Sequence, residues 1–324
     1  MKINEFTKEE IKFIDVENDA GLKVVFANLG ASIFRVELNG TILTRNVKNV
    51  SDFKKTNQYY GKTIGRVSNR MKGNVIKIDG KSYEIEPNES PNVLHGGRHP
   101  LSDAYFDAKT AQEGDKTVVT YKTTQKEETD GYPGDLVVEV KYIIYNNKNE
   151  IDVFYKAVAN KNTVVSLTNH TYWCLGGPDI NNISLRIPSH KYLDVYEIDL
   201  LPKEVKNVND TSNFTESKLL LTDIDKSELH IGRLNGYDHF FYFDKNKNTL
   251  RVSNKNFQIK FETNFEGVQI YTHGFESSVP LYPDCEKLFN SVAIEPSDSF
   301  LKLHALKKDE IYSRYIKIDF NFLK

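Results

Sequence analysis

Short apolar/polar alternations, broken every few residues by Asn, Asp or Gly, recur along nearly the whole chain and point to antiparallel sheet. The clearest is Ile76-Lys77-Ile78-Asp79-Gly80-Lys81-Ser82-Tyr83-Glu84-Ile85. Two alternating arms flank Asp-Gly, a pair that tolerates the positive φ of a tight primed turn, so the segment predicts a β-hairpin. Similar runs cover 118–121, 136–145, 150–159, 250–252, 257–261 and 314–320. Close spacing of strands and turns is the pattern of antiparallel sandwiches and barrels. The 18 Tyr and 19 Phe suit half-buried pleated faces. Only two short helices are expected, over 51–59 and 222–230, each opening on a hydroxyl that could cap it. No linker, low-complexity tract or clear repeat divides the sequence, which reads as one large all-β domain over 1–324.

The 324 residues can bury roughly three quarters of their unfolded surface, enough for a large core. Lys and Arg total 43 against 45 Asp and Glu, so no basic surplus marks a nucleic-acid partner. No apolar run reaches membrane-spanning length, and the first residues lack an apolar signal core. A cytoplasmic protein without nucleic-acid or membrane partners is expected. Cys174 and Cys285 are too few for a disulfide framework. Asn88-Glu89-Ser90 and Asn209-Asp210-Thr211 match a glycosylation triplet, and without a secretory signal they read as chance matches.

Five segments carry chemistry. Thr168-Asn169-His170-Thr171-Tyr172-Trp173 places a histidine at a strand end among hydroxyls and rings, suited to a general acid or base facing a sugar-sized ligand. Taken singly, it also fits a hydrogen-bonded core histidine. Cys174 lies too close along a strand to be its catalytic partner and reads as packing. Gly65-Arg66-Val67-Ser68-Asn69-Arg70 offers fixed donors suited to sugar hydroxyls, with Asn69 and Arg70 at its end. In Pro91-Asn92-Val93-Leu94-His95-Gly96-Gly97, the glycines beside His95 leave room for a ligand. His95 and His99 share a spacing that on a helix would suggest metal, but Gly96, Gly97 and Pro100 indicate a loop, and no metal is expected. Asn235-Gly236-Tyr237-Asp238-His239 puts Asp238 at the entry of an aromatic strand, where it could accept from hydroxyls or merely cap a turn. Glu295 ends the apolar run Val292-Ala293-Ile294. From that segment alone it fits a buried proton acceptor and a salt-bridged structural glutamate equally.

Taken in order, these segments resemble the aldose 1-epimerase (galactose mutarotase) family. Two weaker matches, Gly131-Tyr132-Pro133-Gly134-Asp135-Leu136 and Gly267-Val268-Gln269-Ile270-Tyr271-Thr272, fall in the expected places. The resemblance implies a large antiparallel β-sandwich of the galactose mutarotase type (a supersandwich) with few short helices and an open groove on one sheet. It implies no cofactor and a monosaccharide substrate; the chain is expected to be a monomer or a homodimer. Glu295 would be the general base and His170 the general acid. His95 would hold the sugar and support developing charge, and Arg70 and Asp238 would bind hydroxyls with Asn69 assisting. Tyr172 is a further candidate binding residue; Tyr172, Trp173 or Phe275 could supply an aromatic platform for the apolar face of the sugar, and the sequence does not choose among them. His170 must start protonated and Glu295 ionised, so nearby carboxylates are expected to favour the imidazolium.

The implied reaction interconverts the α and β anomers of a free aldose such as galactose or glucose. Two other readings remain. One is a hexose 6-phosphate epimerase, for which Arg98 is the only obvious extra cation. The other is a non-catalytic sugar-binding or sensor protein of the same fold. Departures after Gly97, where the usual tryptophan is missing, and in the short Glu295-Pro296-Ser297-Asp298 run bear on substrate preference more than on reaction type.

Overall fold

Ile78 pairs with Lys81 across the predicted hairpin, leaving Asp79 and Gly80 as a two-residue turn with φ of 52° and 74°. That is the backbone a primed turn requires. The computed structural model describes residues 1–196, 198–224 and 236–323. Its other predicted runs are also strands. Leu136–Tyr145 buries Leu136, Val138, Val140, Tyr142 and Ile144 while the intervening residues stay partly or fully exposed, a period of two along the pleat.

One layer is a nine-stranded antiparallel sheet in the order Asp107–Glu113, Lys116–Gln125, Leu136–Tyr145, Glu150–Ala159, Tyr312–Phe322, Phe257–Thr263, Thr249–Ser253, Ser184–Arg186, Lys218–Leu219. Facing one end is a five-stranded sheet built from the start of the chain, Lys2–Lys8 to Thr41–Ile42. Phe26 of that sheet stacks on Tyr142 at 4.6 Å, and the Tyr142 hydroxyl donates to the Ala31 carbonyl at 2.6 Å. Facing the other end is an eight-stranded sheet ordered Pro202–Asn207, Lys191–Val195, Asp238–Tyr242, Gly267–Tyr271, Val292–Ser297, Tyr172–Trp173, Thr44–Val47, Leu281–Tyr282. Trp173 reaches from it to Phe261 and Phe320, at 5.7 and 5.8 Å, and closes the core between the layers. The fold is therefore a large antiparallel β-sandwich, as expected.

Alternation decides which side chains of the eight-stranded sheet face away from that core. Val268, Ile270, Val292 and Ile294 are part of the main apolar cluster. Their neighbours Gln269 and Glu295 face each other across the ladder on the opposite side. Asp238 pairs with Tyr271 in the next ladder. A strand period of two thus lifts Asp238, Gln269 and Glu295 onto one face.

Arg66 anchors the segment that leads to this face. Its guanidinium donates to the carbonyls of Gly134 (2.8 Å), Pro133 (3.2 Å) and Gln125 (3.3 Å) and pairs with Asp130 at 2.8 Å. Tyr132 lies beneath it, 5.3 Å from ring centre to guanidinium carbon. The Gly131-Tyr132-Pro133-Gly134 match is thus a socket for a buried arginine. Both charged side chains are at most 1% exposed. Asp130→Ala should therefore leave an uncompensated buried cation and cost about 3–5 kcal/mol. Thermal unfolding should show Tm lowered by roughly 5–15 °C; an unchanged Tm would mean the pair contributes little.

The helices differ in detail from expectation. The first is Val50–Lys55, entered from Asn49 with no side-chain cap bond, rather than a helix over 51–59 capped by a hydroxyl. Burial of Val50 and Phe53 fixes it in place of a cap. The chain then turns so that Tyr59 takes a left-handed φ of 55°. The expected helix over 222–230 lies outside the described residues beyond Ile224, as does Asn235. Among the described residues, no helix is long and apolar enough to cross a membrane.

Candidate active site

Two backbone constructions bring distant histidines together. In the first, Thr63–Ile64 pairs with Thr168–Asn169, and the His170 N–H donates to the Lys62 carbonyl while its carbonyl accepts from Gly61, both at 2.9 Å. A side chain at Gly61 would meet the Ile33 carbonyl at 1.9 Å, so only glycine allows this approach. In the second, Arg70–Met71 pairs with Val93–Leu94, which sets Arg70 opposite Leu94 and delivers His95 next to Asn69. His95 donates its N–H to the Asn69 carbonyl, and the Asn69 N–H returns a bond to His95 Nδ1, both at 3.1 Å.

That return bond fixes the tautomer of His95. With Nδ1 accepting, the ring carries its proton on Nε2 and presents an N–H donor. Burial, then His170 and Arg70, hold its pKa well below the ordinary histidine range, so it stays neutral. The ligand atoms of His95, His170 and Glu295 lie within 4.8 Å of one another, a two-histidine, one-carboxylate set. A metal-bound imidazole normally donates its other N–H to an acceptor. His95 meets a donor there instead, so the arrangement suits holding a sugar oxygen better than a metal. His99 is not part of the set; its imidazole faces Glu86 at 3.4 Å on the surface.

His170 Nε2 lies 3.4 Å from Glu295 Oε1, and both side chains are almost fully buried. His170 Nδ1, Glu295 Oε2 and Asn69 Nδ2 have no hydrogen-bond partner in the protein. Burial lowers His170 to about 3. Burial, reinforced by Asp238, raises Glu295 well above the usual carboxylate range. This reverses the expectation that nearby carboxylates favour the imidazolium: desolvation outweighs them, and the pair is favoured as neutral imidazole and protonated carboxyl. Next to Glu295, Gln269 donates to Asp238 at 2.6 Å, and Asp238 approaches the Arg70 guanidinium at 3.6 Å.

These residues line one cavity of about 440 Å³, within the range of small-molecule sites. All seven residues singled out from the sequence (Asn69, Arg70, His95, His170, Tyr172, Asp238 and Glu295) border it. Phe275 does too, whereas Trp173 belongs to the core and is not a sugar platform. Asp298, the other carboxylate of the Glu295 segment, is tied to Arg314 at 2.9 Å and to the Tyr312 hydroxyl at 3.2 Å. Arg98 is exposed and faces Glu86. Cys174 points its thiol at the Ile42 carbonyl, as a packing residue.

Sequence reasoning missed Tyr59, Glu89, Gln269 and Tyr271. The Tyr59 ring lies 4.8 Å from that of His95 and 5.8 Å from that of His170. Glu89 sat inside a triplet read as a chance glycosylation match. Gln269 and Tyr271 lay in the weak match 267–272, where only the ladder register shows that they face Glu295 and Asp238.

The aldose 1-epimerase family model matches residues 12–319. The galactose mutarotase of Homo sapiens is 33% identical over 225 residues, 67% of this chain and 63% of that protein. The matched stretch therefore spans less than two thirds of the human protein. The aldose 1-epimerase of Haemophilus influenzae is 26% identical over 305 residues, covering 88% of this chain and 85% of that one. Among solved structures, a galactose 1-epimerase from Lactobacillus acidophilus superposes with a TM-score of 0.90 at 22% identity, over 100% of this chain and 99% of the other.

Proposed function

Because the chain belongs to the aldose 1-epimerase family, we propose that it interconverts the α and β anomers of a free aldose, galactose or glucose being the first candidates. The observation that carries this reading is the contact of His170 with Glu295 at 3.4 Å, facing a cavity that also holds Arg70 and Asp238. Glu295 takes the proton of the anomeric hydroxyl as His170 gives one to the ring oxygen. The C1–O5 bond breaks and a free aldehyde forms. Rotation about C1–C2 turns the other carbonyl face to the O5 hydroxyl, and reclosure reverses both transfers. One proton leaves the sugar and one enters it, so a pair holding a single proton suffices. Burial favours the neutral pair. Sugar hydroxyls donating to Glu295 Oε2, with the Arg70 charge nearby, shift the balance toward the ion-paired form that reacts.

His95 supplies a fixed N–H donor, Asn69 a second, and Arg70 and Asp238 engage hydroxyls. Tyr172, Tyr59 and Phe275 offer aromatic surface. The reading treats 1–324 as one functional unit, since a single apolar cluster draws on residues from Ile14 to Phe320. Charge favours an uncharged sugar: among the described residues, and with the His170–Glu295 pair neutral, the cavity wall has Glu89 and Asp238 against Arg70 alone.

Polarimetry of freshly dissolved α-D-galactose and α-D-glucose, with α-D-glucose 6-phosphate in parallel, tests this. Faster decay of rotation with the free sugars than with the phosphate is expected. Preference for the phosphate would overturn the substrate class. Saturable sugar binding without acceleration would leave a binding protein.

A further inference from the structure

The tight turn 89–92 projects a carboxylate into the cavity wall. Glu89 N–H donates to the Asn92 carbonyl at 3.2 Å, and the Glu89 carbonyl accepts from Asn92 N–H at 2.9 Å. On one side of the turn, Asn88 bonds both backbone groups of Leu94, at 2.8 and 2.9 Å. On the other, the Asn92 side chain accepts from Gly73 N–H at 3.0 Å. Leu94 is in turn the ladder partner of Arg70. The short ladder of Arg70–Met71 with Val93–Leu94, and the 89–92 turn bonded to it, therefore carry Arg70, Glu89 and His95 in fixed relation.

Glu89 takes Arg70 by a fork. Oε2 accepts from Nε at 2.7 Å and Oε1 from Nη2 at 3.2 Å. Two parallel charge-assisted bonds fix the guanidinium plane, as a single contact cannot. Nη1 is left toward Asp238 at 3.6 Å. Burial opposes the charge on Arg70, yet Asp238 and Glu89 together outweigh it and hold the guanidinium charged.

We propose that Glu89 is a specificity-determining positioning residue, which aims Arg70 at a neutral sugar hydroxyl and withholds its charge from anionic sugars. A phosphate or carboxylate on the sugar would compete with Glu89 for the same fork. It would have to displace a carboxylate already bound, with Asp238 adding repulsion. Glu89 thus makes the only cation described in the cavity wall a hydroxyl donor rather than an anion site. The proposal rests on the anomerase reading for its kinetic half only.

Glu89→Gln keeps the length of the side chain and removes its charge. Polarimetry on galactose should show KM raised about tenfold, equivalent to about 1.4 kcal/mol, with kcat moved much less, since Arg70 would bind the sugar with its aim lost. Glu89→Asp, which restores the charge on a shorter arm, should recover part of the KM. Calorimetric titration should show D-glucose 6-phosphate binding to Glu89→Gln about tenfold or more tighter than to wild type. An unchanged ratio of phosphate to galactose affinity in Glu89→Gln, with circular dichroism confirming the fold, would overturn the proposal. If wild type accelerates no anomer exchange, the anomerase reading fails, while the affinity ratio still decides the role of Glu89.

Discussion

Glu295→Gln is expected to slow anomer exchange by roughly 10²–10⁴-fold, the usual contribution of a positioned acid or base, without weakening the fold. The amide fills the same volume on Val292–Ser297 and cannot take a proton from the sugar. Its effect on stability should run the other way. Burial and Asp238 raise the folded-state pKa of Glu295 above its unfolded value. A group shifted in that direction stabilises the fold below its unfolded pKa and loses that contribution as pH rises through the folded value. Neutral pH lies above the unfolded value, so there the unfolded glutamate ionises while the buried one is held protonated; part of that contribution is already lost, and a neutral glutamine escapes the penalty. Polarimetry and a thermal melt at pH 7, on the same preparation, should show activity lost and Tm equal or higher. Retained activity would remove Glu295 as the base. Lost activity with a collapsed Tm would make Glu295 structural, the reading its segment alone left open. Asp298 could not take over in place, because Arg314 and Tyr312 hold it.

The strands were legible because their signals are local. Asp79-Gly80 with its alternating arms defines a hairpin within ten residues, and Leu136–Tyr145 shows its buried face by alternation alone. Register between distant strands is not local. Ile151 pairs with Ile318, and Tyr172 pairs with Ala293 on one side and Arg45 on the other; no short window of sequence specifies either. The seven residues that border the cavity were singled out from segments that are ambiguous one at a time, and their roles came from the resemblance of those segments, taken in order, to a known family. Glu89 and Gln269 were not singled out, since a carboxylate in a turn and an amide in a strand are ordinary until the ladder shows what they face. The helix that starts at Val50 shows the same limit. Its expected capping hydroxyl was overridden by the burial of Val50 and Phe53, a tertiary effect. The protonation of His170 was misjudged for a related reason. Neighbouring carboxylates can be guessed from sequence, but the depth of burial that outweighs them cannot.

That depth of burial leads to the other large expected effect. If His170 and Glu295 move one proton each way in a single event, removing either should stop the whole transfer. His170→Asn, which keeps a polar side chain without a titrating proton, should again cost roughly 10²–10⁴-fold. The double variant with Glu295→Gln should be no worse than the weaker single variant by more than about tenfold, because groups acting as a unit lose their effect together. Losses that multiply would instead mean two independent contributions. The pH profile follows from the same pair. Adding a second proton requires protonating His170, which burial holds to about 3. Removing the last proton requires ionising the pair at Glu295, whose pKa burial raises. The one-proton state is therefore favoured over a broad range, and kcat/KM should stay level through neutral pH, falling at the acid end as His170 gains its proton and at the alkaline end as Glu295 loses its own. The two limbs belong to the pair and not to either residue singly. Polarimetric rates corrected for solvent catalysis should show that plateau. A maximum confined to a narrow band near the ordinary histidine pKa would place His170 in contact with water and sink the shared-proton account.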